Sequence, residues 1–307
     1  MNLNNFKKHI AKKCMKLFGQ AIDPSVPVPT QRNLVSLGSR FLPTSDEIKE
    51  YSQLDSPEIT GELCIPKKLS TEKTAVMYLH GGGYSFGSPQ THRSITSKLS
   101  EKLGMFVMAL DYRLAPEYPY PCGLEDAFNA YKKMCELHEE IILIGDSAGG
   151  GLVYGLQNLI IEEKLKKPLC TVTMSPWVDL SIQGFELSNI KEDFIVQPEI
   201  ISQYSKLYAA NETLKNPYVS PTYYDKLDQY SPTLIQIDSH ETLVGQVELF
   251  ANKLLSKKVE VYLNKSEGLW HVWHLFGDWI KESTDSMDEI CEFIQCVQEK
   301  NISNNMA

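Results

Sequence analysis

The stretch Ile141-Ile142-Leu143-Ile144-Gly145-Asp146-Ser147-Ala148-Gly149-Gly150-Gly151-Leu152-Val153-Tyr154 decides how this chain is read. Four apolar residues of strand character run without a linker into a G-x-S-x-G turn, and a segment of helix composition follows. Strand, tight turn and helix put Ser147 at the apex. The flanking glycines let the backbone turn sharply and approach the next element closely. In such an elbow the hydroxyl stands clear of the sheet top, where a base can reach it. The motif is short, so the rest of the chain must supply the partners that a hydroxyl nucleophile needs.

Outward from the elbow, apolar runs of strand length recur at Ala75 to Leu79, Met105 to Leu110, Leu169 to Met174, Thr233 to Ile237 and Val259 to Leu263. Helix-length stretches lie between and after them, near 91–103, 122–138, 148–165, 241–256 and 274–299. Near-continuous apolar strands alternating with helices predict a mostly parallel central sheet with helices on both faces. Residues 180–231 break the rhythm, holding pieces such as Pro198 to Ala210 but no convincing core strand. They are expected above the carboxyl edge of the sheet, where α/β folds place their sites. The resulting division is an N-terminal cap segment 1–45, a catalytic domain 46–179 and 216–300, a cap insertion 180–215, and a frayed tail 301–307.

A second motif, His80-Gly81-Gly82-Gly83-Tyr84, follows the run Ala75 to Leu79 directly. Acyl transfer builds negative charge on a carbonyl oxygen, and backbone N–H groups free of side chains can point at that oxygen. Gly82 and Gly83 are the candidate donors, with the Ala148 N–H, one residue past the serine, as a third. A serine hydroxyl also needs a base. Of the seven histidines, His271 sits on a loop after a late strand. His80 reads as a turn-stabilising residue, His92 and His138 fall in helical stretches, and His274 is expected to begin the last helix. The carboxylate that fixes the imidazole tautomer should follow Thr233 to Ile237. Asp238 and Glu241 compete for that place.

The joint pattern resembles the hormone-sensitive lipase family of α/β-hydrolases. The resemblance is carried by His80 to Gly83, Asp111-Tyr112-Arg113-Leu114-Ala115-Pro116-Glu117, Gly145 to Gly150, Ser175-Pro176-Trp177, Ser220-Pro221 and Gly268-Leu269-Trp270-His271, and spans about residues 60 to 280. It implies an α/β-hydrolase fold with a helical cap built from the N-terminal segment and a mid-chain insertion. It also implies a serine carboxylesterase of short acyl esters, with Ser147 as nucleophile, His271 as base, Gly82, Gly83 and Ala148 at the oxyanion, and no cofactor. The Asp111 to Glu117 segment resembles a scaffolding hallmark. Many members carry Asp-Glu where this chain has His240-Glu241, and some that resemble it here use the glutamate, which favours Glu241 over Asp238. Two rivals share the fold: a small-molecule binding protein, against which the retained His271 weighs, and an amide-cleaving hydrolase such as an arylformamidase.

Composition limits the partners. The chain has 307 residues and a net charge of −9, which argues against general nucleic-acid binding. Seven cysteines without a C-x-x-C pair suit a reducing, cytoplasmic setting. No H-E-x-x-H or other metal pattern accompanies His271 and His274. No apolar run approaches the roughly 18 residues that span a bilayer. Near the N-terminus, Lys7, Lys8, Lys12, Lys13 and Lys16 interleave with Phe6, Ile10, Cys14, Leu17 and Phe18 at helical spacing. This amphipathic helix either lies on a membrane surface or packs on the protein with its lysines in water. The second reading is preferred, without stable membrane insertion. The partner expected is a small-molecule ester, with a homo-oligomer left open.

Overall fold

A computed structural model describes residues 3–181 and 193–306, the last three by their backbone alone. The sheet has eight strands: β1 Ile48–Asp55, β2 Thr60–Pro66, β3 Thr74–Leu79, β4 Val107–Leu110, β5 Glu140–Asp146, β6 Cys170–Met174, β7 Thr233–Asp238 and β8 Val261–Ser266. Their order is β1-β2-β4-β3-β5-β6-β7-β8. The pairs β1/β2 and β2/β4 are antiparallel and all others are parallel. Sequence reading found the six parallel strands to within a few residues and passed over β1 and β2.

Period-two alternation divides the core. Ala75, Met77 and Leu79 of β3 face one apolar cluster with Ile141 and Leu143 of β5, while Val76, Tyr78, Ile142 and Ile144 face the other. The first face is covered by α4 Cys122–Leu137, α5 Ser147–Glu162 and α7 Val244–Ser256; the second by α3 Arg93–Leu103 and α8 Lys281–Met306. Both faces of β3 and β5 are therefore dry, which is why these strands are apolar without interruption. Burying each of their Leu, Ile and Met side chains is worth roughly 1.5–3 kcal/mol.

The last helix begins later than expected. His274 lies not at its start but in a 3-10 turn, Trp273–Trp279. Val272 and Gly277 both have left-handed φ, 51° and 48°, which breaks a continuous helix from 274. At the other end the helix continues to Met306 through most of the segment expected as a tail.

Above the carboxyl ends of the strands lie α1 Leu3–Ala21, α2 Val28–Ser39 and α6 Pro198–Ala209. Of the expected cap insertion 180–215, residues 182–192 lie outside the described residues. Tyr204 of α6 joins the segments, its hydroxyl donating to Gln31 Oε1 of α2 (2.5 Å). α1 packs through Ala11, Met15 and Gly19. A Cβ on Gly19 would meet the Phe194 carbonyl oxygen at 2.2 Å, so only glycine allows that approach. Of the apolar residues quoted from the sequence, Phe18 packs against the core and Phe86, whereas Phe6, Cys14 and Leu17 are exposed.

Candidate active site

The elbow forms because two backbones must nearly touch. A Cβ at Gly149 would lie 2.1 Å from the Leu79 carbonyl oxygen, and one at Gly145 would lie 2.7 Å from that of Gly149. Between them Ser147 takes φ +50°, a left-handed conformation that costs a non-glycine residue on the order of 1–3 kcal/mol. The surroundings hold it there: its carbonyl accepts the Trp177 N–H (2.9 Å), which ties the turn to the loop after β6.

Three side chains meet above the carboxyl ends of β5, β7 and β8. His271 Nε2 lies 2.8 Å from Ser147 Oγ, and its Nδ1 lies 2.7 Å from Glu241 Oε2. An ionised carboxylate can only accept, so Nδ1 carries the proton and Nε2 is free to accept from the serine hydroxyl. The other carboxylate oxygen, Oε1, accepts from Ser175 Oγ (2.7 Å) and the Asp238 N–H (2.9 Å), which pins its rotamer. Glu241 and His271 are both buried. Burial raises the Glu241 pKa, and the bonds from His271, Asp238 and Ser175 only partly offset it. Burial pulls the His271 pKa down, but the bond and charge of Glu241 outweigh it and leave the imidazole more basic than usual.

Asp238 makes no contact with His271. Its Oδ1 accepts from the His240 N–H (2.9 Å) and lies 3.0 Å from His240 Nδ1, and its Oδ2 accepts from the Leu269 N–H (2.9 Å). It therefore holds together the two loops that carry Glu241 and His271.

Gly82 and Gly83 line the same cavity as Ser147, with φ of 119° and 56°. A Cβ on Gly82 would strike the Phe86 carbonyl oxygen at 2.1 Å. Among the described residues no acceptor takes up the Gly82 or Gly83 N–H. Ala148 is in the first turn of α5, whose N–H groups have no partner within the helix.

Beneath this loop lies a buried polar cluster that sequence reading did not assign. Asp146 accepts from the Gly81 N–H (2.9 Å) and the Tyr78 hydroxyl, and lies 3.4 Å from His92 Nε2. Burial acts against both charges, yet each stabilises the other: Asp146 is more acidic than usual and His92 more basic. His80 is held at its carbonyl by the Tyr112 hydroxyl (2.7 Å), and its ring stacks on Tyr112. Burial pushes its pKa down to about 3, so its ring is neutral. Tyr112 comes from the Asp111 to Glu117 segment, which thus scaffolds the glycine loop. The signal for Asp146 was present inside the quoted elbow motif. His92 was set aside because it lies in a helical stretch.

His274 Nε2 lies 2.8 Å from Gln236 Oε1, fully buried, and burial lowers its pKa to about 3. Among the described residues no three His, Cys, Asp or Glu side chains are grouped as metal ligands. Ser147 and His271 open onto a cavity of about 530 Å³. Phe86 and Trp177 line it, whereas Tyr84, Trp270 and Trp273 do not. Its far walls come from the cap, including Phe18, Val35, Ile201 and Tyr204. A hydroxyl, an imidazole and a carboxylate in this order can relay a proton away from the hydroxyl at the floor of an apolar pocket.

The chain is similar to known proteins in sequence and in fold. A family model described as alpha/beta hydrolase fold matches residues 76–275. A crystal structure of an esterase from the bacterial hormone-sensitive lipase family superposes with a TM-score of 0.85 at 28% identity, covering 92% of this chain and 96% of that one. The chain belongs to the hormone-sensitive lipase family of α/β-hydrolases. It is accordingly a hydrolase. An acetyl-hydrolase of Streptomyces hygroscopicus is 31% identical over 72% of this chain and 75% of that protein. An esterase of Acinetobacter venetianus is 31% identical over 71% and 73%. An arylesterase of Saccharolobus solfataricus is 28% identical over 89% and 87%.

Proposed function

We propose that the protein is a serine carboxylesterase of short-chain acyl esters. The observation that carries this reading is the relay of Ser147, His271 and Glu241, at 2.8 and 2.7 Å, on the floor of an apolar cavity. Ser147 Oγ attacks the ester carbonyl while His271 Nε2 takes its proton. The carbonyl oxygen becomes an oxyanion that accepts from the N–H groups of Gly82, Gly83 and Ala148. Collapse of the tetrahedral intermediate breaks the C–O bond, and the leaving alkoxide takes the proton from His271. Water then enters, gives its proton to the same nitrogen and attacks the acyl-enzyme. The acid leaves as Ser147 regains its proton. Glu241 keeps the imidazole in the productive tautomer and stabilises its charged form throughout.

The cap segments 1–45 and 180–215 set the substrate range, since described residues of both line the cavity. The preference for short acyl chains draws on relatives named acetyl-hydrolase and, in Pseudomonas putida, ethyl acetate hydrolase. All seven cysteines are free, which supports a reducing, cytoplasmic setting. Hydrolysis of p-nitrophenyl acetate and butyrate by wild type and Ser147→Ala tests the proposal. The variant is expected to lose on the order of 10⁵–10⁶-fold in kcat. Equal rates for the two proteins would overturn it. A series of acyl lengths on one alcohol tests the chain preference, with turnover expected to fall from butyrate to palmitate.

A further inference from the structure

The cap turns apolar residues outward on both of its N-terminal helices. On α1 the contact face is Ala11, Met15 and Gly19. Leu3, Phe6 and Leu17 recur at spacings of three and eleven residues, which places them together on the opposite side. On α2 the buried residues are Val28, Gln31 and Val35, while Leu34 and Leu37, with Phe41 just beyond, recur at the same helical spacing. All six outward side chains are between 42% and 84% exposed. The two stripes converge on the cavity: Leu17, Leu34 and Phe41 also line it, beside Ser147 and His271. Large apolar residues exposed in register on two adjacent helices call for an occupant.

Charge identifies it. The first 45 residues hold seven of the 30 basic residues and one of the 39 acidic residues. The chain as a whole is acidic, so this end is electrically opposite to the rest. Among the described residues, Lys8 alone of the five lysines on α1 is in an ion pair, with Glu282 (3.1 Å). Lysines beside an outward apolar stripe match an anionic lipid surface, where the stripe enters the acyl boundary and the ammonium groups meet phosphates.

We propose that the outward faces of α1 and α2 dock on an anionic lipid bilayer, with the mouth of the cavity turned toward it. Esters dissolved in the bilayer then enter the pocket without crossing bulk water. Docking itself does not depend on the esterase reading; only this delivery role does.

The test is co-sedimentation of the full chain with vesicles of phosphatidylcholine alone or with about 30% phosphatidylglycerol. Wild type and Ser147→Ala are expected to partition equally, at least about tenfold more onto the anionic vesicles, and to detach in about 0.5 M salt. Lys7→Glu/Lys13→Glu is expected to remove the anionic preference, at about fivefold or more per lysine. Phe6→Ser/Leu37→Ser, outside the cavity lining, is expected to lose binding about tenfold or more while turnover of dissolved p-nitrophenyl acetate and the circular dichroism spectrum stay unchanged. Equal and negligible partition onto both vesicles overturns the proposal. So does a dimer in lipid-free buffer that Phe6→Ser/Leu37→Ser dissociates, because the stripes then cover a second copy. A protein that binds vesicles but hydrolyses no ester overturns the esterase reading alone.

Discussion

The sheet and the cap solve opposite problems. Around β3 and β5 both faces are dry, glycines are dictated by backbone contact, and the Ser147, Glu241 and His271 side chains are fixed by hydrogen bonds at 2.7–2.9 Å. The cap packs through residues such as Ala11, Met15, Gly19, Ile201 and Tyr204 and leaves other large apolar ones, Phe6, Leu17 and Phe41 among them, in solvent. Chemistry that depends on a few tenths of an ångström sits on the first. The cavity walls proposed to meet variable substrates sit on the second. Damage to the sheet side should therefore appear in kcat, and damage to the cap side in substrate preference.

The sharpest way to break that contrast is to exchange carboxylates. Glu241→Gln keeps the shape but loses the charge opposite His271, and should lower kcat on p-nitrophenyl acetate by on the order of 10⁴. Asp238→Asn should lower it far less, because Asp238 holds loops rather than the imidazole. The reverse order of effects would move the acid to Asp238. Next in size is Asp146→Asn, which uncouples the proposed oxyanion loop from a charged anchor and leaves His92 without its counter-charge. We expect kcat to fall roughly 10–100-fold with KM little changed, the pattern of a transition-state effect. A rise in KM alone would place Asp146 in substrate binding instead.

The pH profile comes third. His271 must be unprotonated at Nε2 to accept the serine proton, and its pKa is raised by Glu241. Activity should thus be full above that raised pKa and fall as pH drops through it, with the acidic limb of kcat/KM centred above the ordinary histidine value of about 6.5. A limb at or below that value would show that burial, not Glu241, governs the imidazole. The smallest effect belongs to the cap. Ile201→Trp narrows the cavity from the α6 side. It should change turnover of acetate by no more than about threefold while lowering that of hexanoate about tenfold, the order of discrimination hydrophobic pockets achieve. Equal losses on both esters would mean the cap also positions the catalytic groups.

The same contrast governs what could be read from the sequence. Strands buried on both faces are apolar almost throughout, so β3 to β7 stood out, while β8, a half-exposed edge strand, showed only through the apolar run at its start. β1, Ile-Lys-Glu-Tyr-Ser-Gln-Leu-Asp, is an edge strand whose alternate side chains reach water, and it reads as a polar loop. Ser147, His271 and the glycine loop were legible because each answers a local demand of backbone or chemistry. The choice between Asp238 and Glu241 was not, since three residues apart in one turn they differ only in which way the side chain points. The start of the last helix was missed because left-handed Val272 carries no compositional mark. The packed N-terminal helix was legible as an element, but its contact face was not. Helical periodicity locates apolar residues but not which of them face inward: Met15 and Phe18 pack, while Phe6 and Leu17 are exposed.

The side chains of Ser147, Glu241 and His271 follow the ends of β5, β7 and β8, and β8 pairs with β7 alone at the far edge of the sheet. During synthesis the serine elbow is complete long before residue 271 leaves the ribosome. A growing chain therefore carries the hydroxyl without the proposed base, and Ser147 and His271 meet only when the last strand docks. On the proposed roles of Ser147 and His271, a fragment that ends before β8 keeps the hydroxyl and lacks its base, so the final strand is the one that completes the relay.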